Sequence, residues 1–201
     1  MTNSNNCGFC TAGIRGLMES VPLKSATGDF LPCKRGIYED QYCVATLAPE
    51  QYTRGHAIVV LKRHRADITD VDLSETELAG FIIATNRVAK HLKQAARNDE
   101  GESPKRIYVC SLCDGVEHLH AHLIPRYPFM DSDRDIYKSR FLPRDGEAKI
   151  QDAIKSDELG GFWYVAEREQ NYAASEYGRK SNEEKAKSLQ ALAQQLRMSM
   201  F

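Results

Sequence analysis

The chain changes hydrophobic period several times, and each change marks an element. Ile37–Leu47 reads as a pair of strands broken by the polar Glu39-Asp40-Gln41. Pro49 to Gly55 is turn chemistry, and His56–Leu61 is the continuous β-branched run of a central strand. A helical period follows. Ser74 and Glu77 form a capping box, in which the hydroxyl takes one orphan N–H and the carboxylate reaches back to another. Leu78, Phe81, Ile82, Thr85, Val88, Ala89 and Leu92 then recur on one helical face. Asn98-Asp99-Glu100-Gly101 and Ser103-Pro104 should stop this helix near Arg97. Ile107–Cys110 and His118–Ile124 predict two more strands, joined by a turn at Asp114-Gly115, with Pro125 ending the second.

The two ends differ from this middle. Residues 1–35 are rich in Gly, Pro, Ser and Thr and predict a loosely structured lead-in. Residues 131–161 are crowded with charge, and Phe162-Trp163-Tyr164-Val165 holds the only Trp in a short aromatic strand or patch. A second capping box, Ser181 with Glu184, opens a helix with Leu189, Leu192, Ala193 and Leu196 on one face. The division that follows is a domain over residues 1–130 and an extension over 131–201 packed on its core.

The full length, 201 residues, is enough for a core without staples. Lys and Arg number 27 against 28 Asp and Glu, so there is no strong electrostatic case for a nucleic-acid-coating protein. The longest plain apolar run, Ala57 to Leu61, is too short to span a bilayer, and the N-terminus shows no secretory pattern, so a cytoplasmic location is expected. That changes the reading of the six cysteines. In a reducing compartment the C-x-x-C pairs Cys7/Cys10 and Cys110/Cys113 read as metal ligands or redox centres before disulfides. Cys33 and Cys43 read as structural, small and partly buried side chains.

The most informative stretch is His118-Leu119-His120-Ala121-His122. In a strand, side chains two apart share a face at steps of about 6.6 Å, so three imidazoles would line one side while Leu119, Ala121 and Leu123 point inward. A polar edge strand would more commonly use Thr, Lys or Glu. A hydrolytic metal site would want a carboxylate nearby, and Asp114 and Glu117 do not follow the strand. Nucleophilic catalysis fits better. A neutral imidazole attacks phosphorus well, flanking imidazoles supply a proton and hydrogen bonds, and one hard displacement becomes two.

The segment His118 to Arg126 resembles the histidine triad motif of the HIT family of nucleotide hydrolases and transferases. Cys7-Gly8-Phe9-Cys10 is similar to that family's N-terminal C-x-F-C, and Tyr38-Glu39-Asp40, Gly55-His56 and Lys62-Arg63-His64 follow in its order and spacing. The resemblance covers about residues 7–127. It implies an α+β fold, a five-stranded antiparallel sheet with helices, dimerising so that two sheets continue into one. By resemblance His120 is the nucleophile, His122 contacts the phosphate and assists the leaving group, and His118 orients the site or binds zinc. His56 would reach the nucleotide or only cap its strand, and Ser111 with the Gly115 backbone would replace missing phosphate donors. The expected reaction cleaves a nucleoside phosphate from its leaving group through a nucleotidyl-histidine. Dinucleoside polyphosphate hydrolysis comes first. A phosphoramidase, or a non-catalytic nucleotide-binding protein on the same fold, is the alternative.

The resemblance also implies a structural zinc on Cys7, Cys10, His64 and His118, with Cys7, Cys10, Cys110 and Cys113 as the rival set; no organic cofactor is expected. Such sites release about 10–16 kcal/mol on binding, enough to order a polar arm. Two departures stand out. Ala48 occupies the place of an Asp that binds ribose hydroxyls in many members, and the loop from Cys110 to Gly115 is short. His91 should face solvent, Trp163 should anchor the extension, and Arg126 serves equally as phosphate ligand or surface ion pair.

Overall fold

The computed structural model describes residues 7–24, 27–111, 113, 116–128 and 175–199. Its centre is an antiparallel sheet of five strands: β3 (Gly36–Glu39), β4 (Cys43–Leu47), β5 (Ala57–Leu61), β6 (Arg106–Cys110) and β7 (His120–Arg126), ordered β3-β4-β5-β7-β6. The chain is α+β. Before the sheet come a helical segment, α1 (Gly8–Glu19), and a small hairpin of β1 (Ser20–Lys24) and β2 (Phe30–Pro32). The long helix α2 (Glu75–Ala95) joins β5 to β6, and α3 (Glu176–Arg179) and α4 (Asn182–Met198) follow the sheet. Among the described residues, no helix is long and apolar enough to cross a membrane.

Alternation along the strands divides the sheet into two faces. Ala45, Val59 and Ala121 lie in register, as do Leu47, Ala57 and Leu123, and all six are at most 1% exposed. Against this face pack Phe81, Ala84, Val88 and Leu92 of α2 with Leu189, Leu192, Ala193 and Leu196 of α4. Each buried leucine contributes roughly 1.5–3 kcal/mol. The opposite face carries Val44, Val60 and Ile58 under Phe9, Leu17 and Met18 of α1. His120 pairs with Val60 and His122 with Ile58, so the histidines project on this second face, beside α1.

Both capping boxes are present, at Ser74/Glu77 and Ser181/Glu184. The buried stripe of α2 is turned from the expected one. Gly80, Ala84 and His91 are buried, while Ile82 is half exposed. A Cβ on Gly80 would collide with the Tyr42 ring, so the turn between β3 and β4 reaches α2 only where the side chain is missing. The solvent-facing reading of His91 is corrected for a related reason. The last turn of α4 covers it, and its Nε2 lies 2.8 Å from the Leu196 carbonyl.

The lead-in is also corrected. It forms α1 and a hairpin, because a few apolar residues suffice where they meet the sheet: Leu17 is buried, and Cys33 is 1% exposed with Sγ 3.3 Å from the Ala186 carbonyl. Gly13, at φ +64°, breaks α1 and hides its period. Cys43 is fully buried, which pushes its thiol up to about 12. The aromatic Phe162-Trp163-Tyr164-Val165 segment lies outside the described residues.

Candidate functional site

The three histidines of the motif alternate with Leu119, Ala121 and Leu123, which enter the core on the other face, and Phe9 meets both His118 and His120, although β7 itself begins only at His120. His118 precedes it on a connection pinned by Leu119 N–H donating to the Arg65 carbonyl (2.6 Å) and Leu61 N–H donating to the Leu119 carbonyl (3.1 Å). There its Nε2–H donates to the Leu61 carbonyl at 2.7 Å. That bond fixes the tautomer and leaves Nδ1 with a lone pair. Nδ1 lies 3.3 Å from Cys7 Sγ, 3.5 Å from Cys10 Sγ and 3.3 Å from His64 Nδ1. His64 Nδ1 is 3.4 Å from Cys10 Sγ, so the four donors converge within 4.8 Å of one another.

These separations fit a divalent cation. A tetrahedral zinc at ordinary bond lengths has S···N edges of about 3.5 Å and N···N edges of about 3.4 Å. Burial, then the hydrogen bond and charge of Cys7, push the Cys10 thiol up to about 11. A bound cation would reverse that cost by taking both sulfurs as thiolates. Burial also pulls His118 below the ordinary histidine value, favouring the neutral ring a metal needs. Cys110 and Cys113 are outside this cluster, so the rival four-cysteine set does not assemble among the described residues.

Behind the corner stands a support that sequence reading did not find. The Arg65 guanidinium, on the residue after His64, grips Glu77 at 3.0 and 3.2 Å while also donating to the His64 carbonyl at 3.1 Å. Burial alone would push the Glu77 carboxyl up, but hydrogen bonds from Ser74 and Arg65 outweigh it and hold it below the usual range. The helix cap therefore also anchors the His64 loop.

His120 and His122 form the second half of the site, their ring centroids 5.1 Å apart. His120 Nδ1–H donates to the His118 carbonyl at 2.6 Å, which leaves the lone pair on Nε2. Burial pulls His120 below the ordinary histidine value, so the ring is neutral at neutral pH. His56 Nδ1–H donates to the Glu50 carbonyl at 2.9 Å, and its Nε2 accepts from His122 Nδ1–H at 3.0 Å. Tyr52 stacks on His56 with centroids 5.1 Å apart. The turn that delivers His56 requires glycine. Gly55 has φ +89°, and a Cβ there would press on Ala96 and Pro125 at 3.3 and 3.4 Å.

Phe9, inside the Cys7-to-Cys10 segment, meets both halves edge-on, 5.6 Å from His118 and 5.2 Å from His120 between ring centroids. Ser111 donates its hydroxyl proton to the His120 carbonyl at 2.6 Å. Gly115 and Asp114 lie outside the described residues. Ala48 is 1% exposed, its N–H on the His56 carbonyl.

A pair of imidazoles in edge-on contact on a five-stranded sheet, next to a Cys₂His₂ corner, defines a histidine-triad class of site. The HIT domain family model matches residues 33–129. An uncharacterised HIT-like protein of Mycobacterium tuberculosis is 30% identical over 129 residues, 61% of this chain and 82% of that protein. The protein named hit of Bacillus subtilis is 28% identical over 153 residues, 71% of this chain and 88% of its own. Among solved structures, a zinc-bound histidine triad family protein of Mycobacterium smegmatis is 22% identical, with a TM-score of 0.44 over 86% of this chain and all of that one. The chain belongs to the HIT family.

Proposed function

We propose that this chain is a nucleotidyl hydrolase or transferase that works through a covalent intermediate on His120. The observation that carries the reading is the tautomer. With Nδ1–H held by the His118 carbonyl, His120 presents an Nε2 lone pair on the face beside α1. That nitrogen attacks the α-phosphorus, an Nε2–P bond forms, and the bond from phosphorus to the leaving group breaks. The leaving atom takes a proton from His122 Nε2, while His122 Nδ1–H stays on His56. Water then attacks phosphorus, returns a proton to His122 and releases His120. The relay ends on the Glu50 carbonyl, which keeps His56 Nε2 an acceptor throughout.

The substrate class proposed first is a dinucleoside polyphosphate, with a nucleoside phosphoramidate second. Buried Ala48 offers no carboxylate to a ribose, so base and sugar selection must rest on other groups. Ser111 acts through the His120 carbonyl, and the backbone around Gly115 is left as the proposed phosphate donor. Cys7, Cys10, His64 and His118 are proposed to hold one structural zinc, all four positions filled by protein and none left for substrate. Strand β6 lies at the sheet edge with Val109 54% exposed, which supports a homodimer that extends the sheet there.

The test is His120→Ala. Turnover of a nucleotide panel should fall by about 10⁴-fold or more, with metal content and thermal unfolding unchanged. Labelled nucleotide should appear on the wild-type protein after acid-free quenching and on no peptide but that of His120. Undiminished turnover in the variant refutes the assignment.

A further inference from the structure

We infer that the Cys₂His₂ corner positions the nucleophile, with Phe9 as the mechanical link. The consequence for turnover rests on the reading of His120 just given; the placement of the ring does not.

His120 is held at Nδ1 by its hydrogen bond to the His118 carbonyl, and the His122 ring stands edge-on to it at 5.1 Å. The hydrogen bond by itself does not fix the plane of the imidazole, and a rock about that contact carries Nε2 off an in-line path. The Phe9 ring closes the other side, nearly perpendicular at 86°. An edge-on aromatic contact of this kind contributes about 0.5–1.5 kcal/mol, enough to narrow a rotamer well but not enough to hold Phe9 itself in place. Phe9 is half buried, packs on Leu17, Val44 and Val60, and belongs to a helix interrupted at Gly13, so its placement draws on a further tie.

That support comes from its neighbours in sequence. Phe9 sits between Cys7 and Cys10, the turn is closed by Thr11 N–H donating to the Cys7 carbonyl, and both sulfurs face His118 and His64. With the two thiolates on one ion, the turn cannot open without breaking a metal bond. The same ring touches His118 at 74°. The corner thus reaches His120 twice, through the His118 carbonyl on Nδ1 and through Phe9 on the ring. Phe9 is a positioning residue. It moves no proton and needs no contact with phosphate.

The test uses the full chain, metal-loaded, with Phe9→Leu, Phe9→Ala and Phe9→Tyr. Three quantities are read: bound zinc, the side-chain ¹⁵N spectrum of His120, and kcat separately from KM. In Phe9→Leu, zinc should stay near one per chain, the His120 ring should lose its single fixed tautomer, and kcat should fall about 10- to 100-fold with KM little changed. Phe9→Tyr should restore all three. Stripping zinc from the wild type with a chelator should broaden the same His120 signal. An unchanged His120 spectrum in Phe9→Leu and after chelation overturns the inference, as does a loss confined to KM. Should Phe9→Ala unfold, Phe9→Leu carries the test. Should no nucleotide be turned over by the wild type, the proposed function fails, and the spectrum alone still decides for or against the positioning role.

Discussion

The metal corner and the His56–His122 relay are built from the same side chain in opposite ways. In each, a backbone carbonyl occupies one ring nitrogen and thereby leaves the other available. The Leu61 carbonyl takes Nε2 of His118, and Nδ1 turns to the cysteines. The His118 carbonyl takes Nδ1 of His120, and Nε2 is left for chemistry. The Glu50 carbonyl takes Nδ1 of His56, which makes its Nε2 the acceptor for His122. His118 and His120 are two residues apart and both meet Phe9, yet they present different nitrogens because different carbonyls hold them. The main chain, more than the count of histidines, decides which ring nitrogen each histidine presents.

The comparison breaks most readily at the corner. Cys10→Ser should abolish zinc binding and remove several kcal/mol of stability, read as a fall of well over ten degrees in Tm by calorimetry. α1 should lose protection from hydrogen exchange while β4 and β5 keep theirs. Retained zinc and Tm in the variant would mean that Cys10 is not a ligand, and a wild type purified without zinc would mean that the four donors meet without binding an ion. The relay should respond differently. His56→Phe keeps the stack on Tyr52 but removes the acceptor for His122 Nδ1–H. It should lower kcat by about 100-fold while leaving zinc bound and Tm within a few degrees. An equal loss of zinc in that variant would show that the two regions are one.

Much of this was legible in the sequence where a local pattern carries the information. The triad, the C-x-F-C and the Ser74/Glu77 cap are short motifs, and each sits where its spacing put it. What was hidden depends on residues distant in sequence. The start of β7 at His120, rather than His118, is set by pairing with β5, which ends its match at Val60. The burial of His91 is set by α4, more than 100 positions later. The order of α1 comes from a sheet face that Phe9, Leu17 and Met18 cover, with Gly13 interrupting the period that would have revealed it. Glu77 looked like half of a capping box, and nothing nearby in sequence announced Arg65 as its second partner.

That double duty gives the smallest and most discriminating prediction. Glu77 closes the cap of α2 through Ser74 and steadies the His64 loop through Arg65. Glu77→Gln keeps the shape and one acceptor oxygen but removes the charge that both partners face. The loss should be about 1–2 kcal/mol at neutral pH, moderated because Arg63, the third partner, is exposed. The pH dependence has a definite sign. The folded carboxyl is held below its ordinary value, so its stabilisation is complete above the unfolded glutamate range, near pH 4.5, and is lost as the pH falls through the lower folded value. Denaturant melts of the two proteins should therefore differ at pH 7, differ equally at pH 6, and converge only once the pH has fallen below the lowered folded value. A gap that persists undiminished into acid would mean that the carboxylate charge contributes nothing and that the helix cap alone holds the loop. If zinc affinity falls severalfold in Glu77→Gln while turnover per zinc-loaded chain is unchanged, the anchor serves the metal corner only, and the boundary between the two regions runs between His118 and His120.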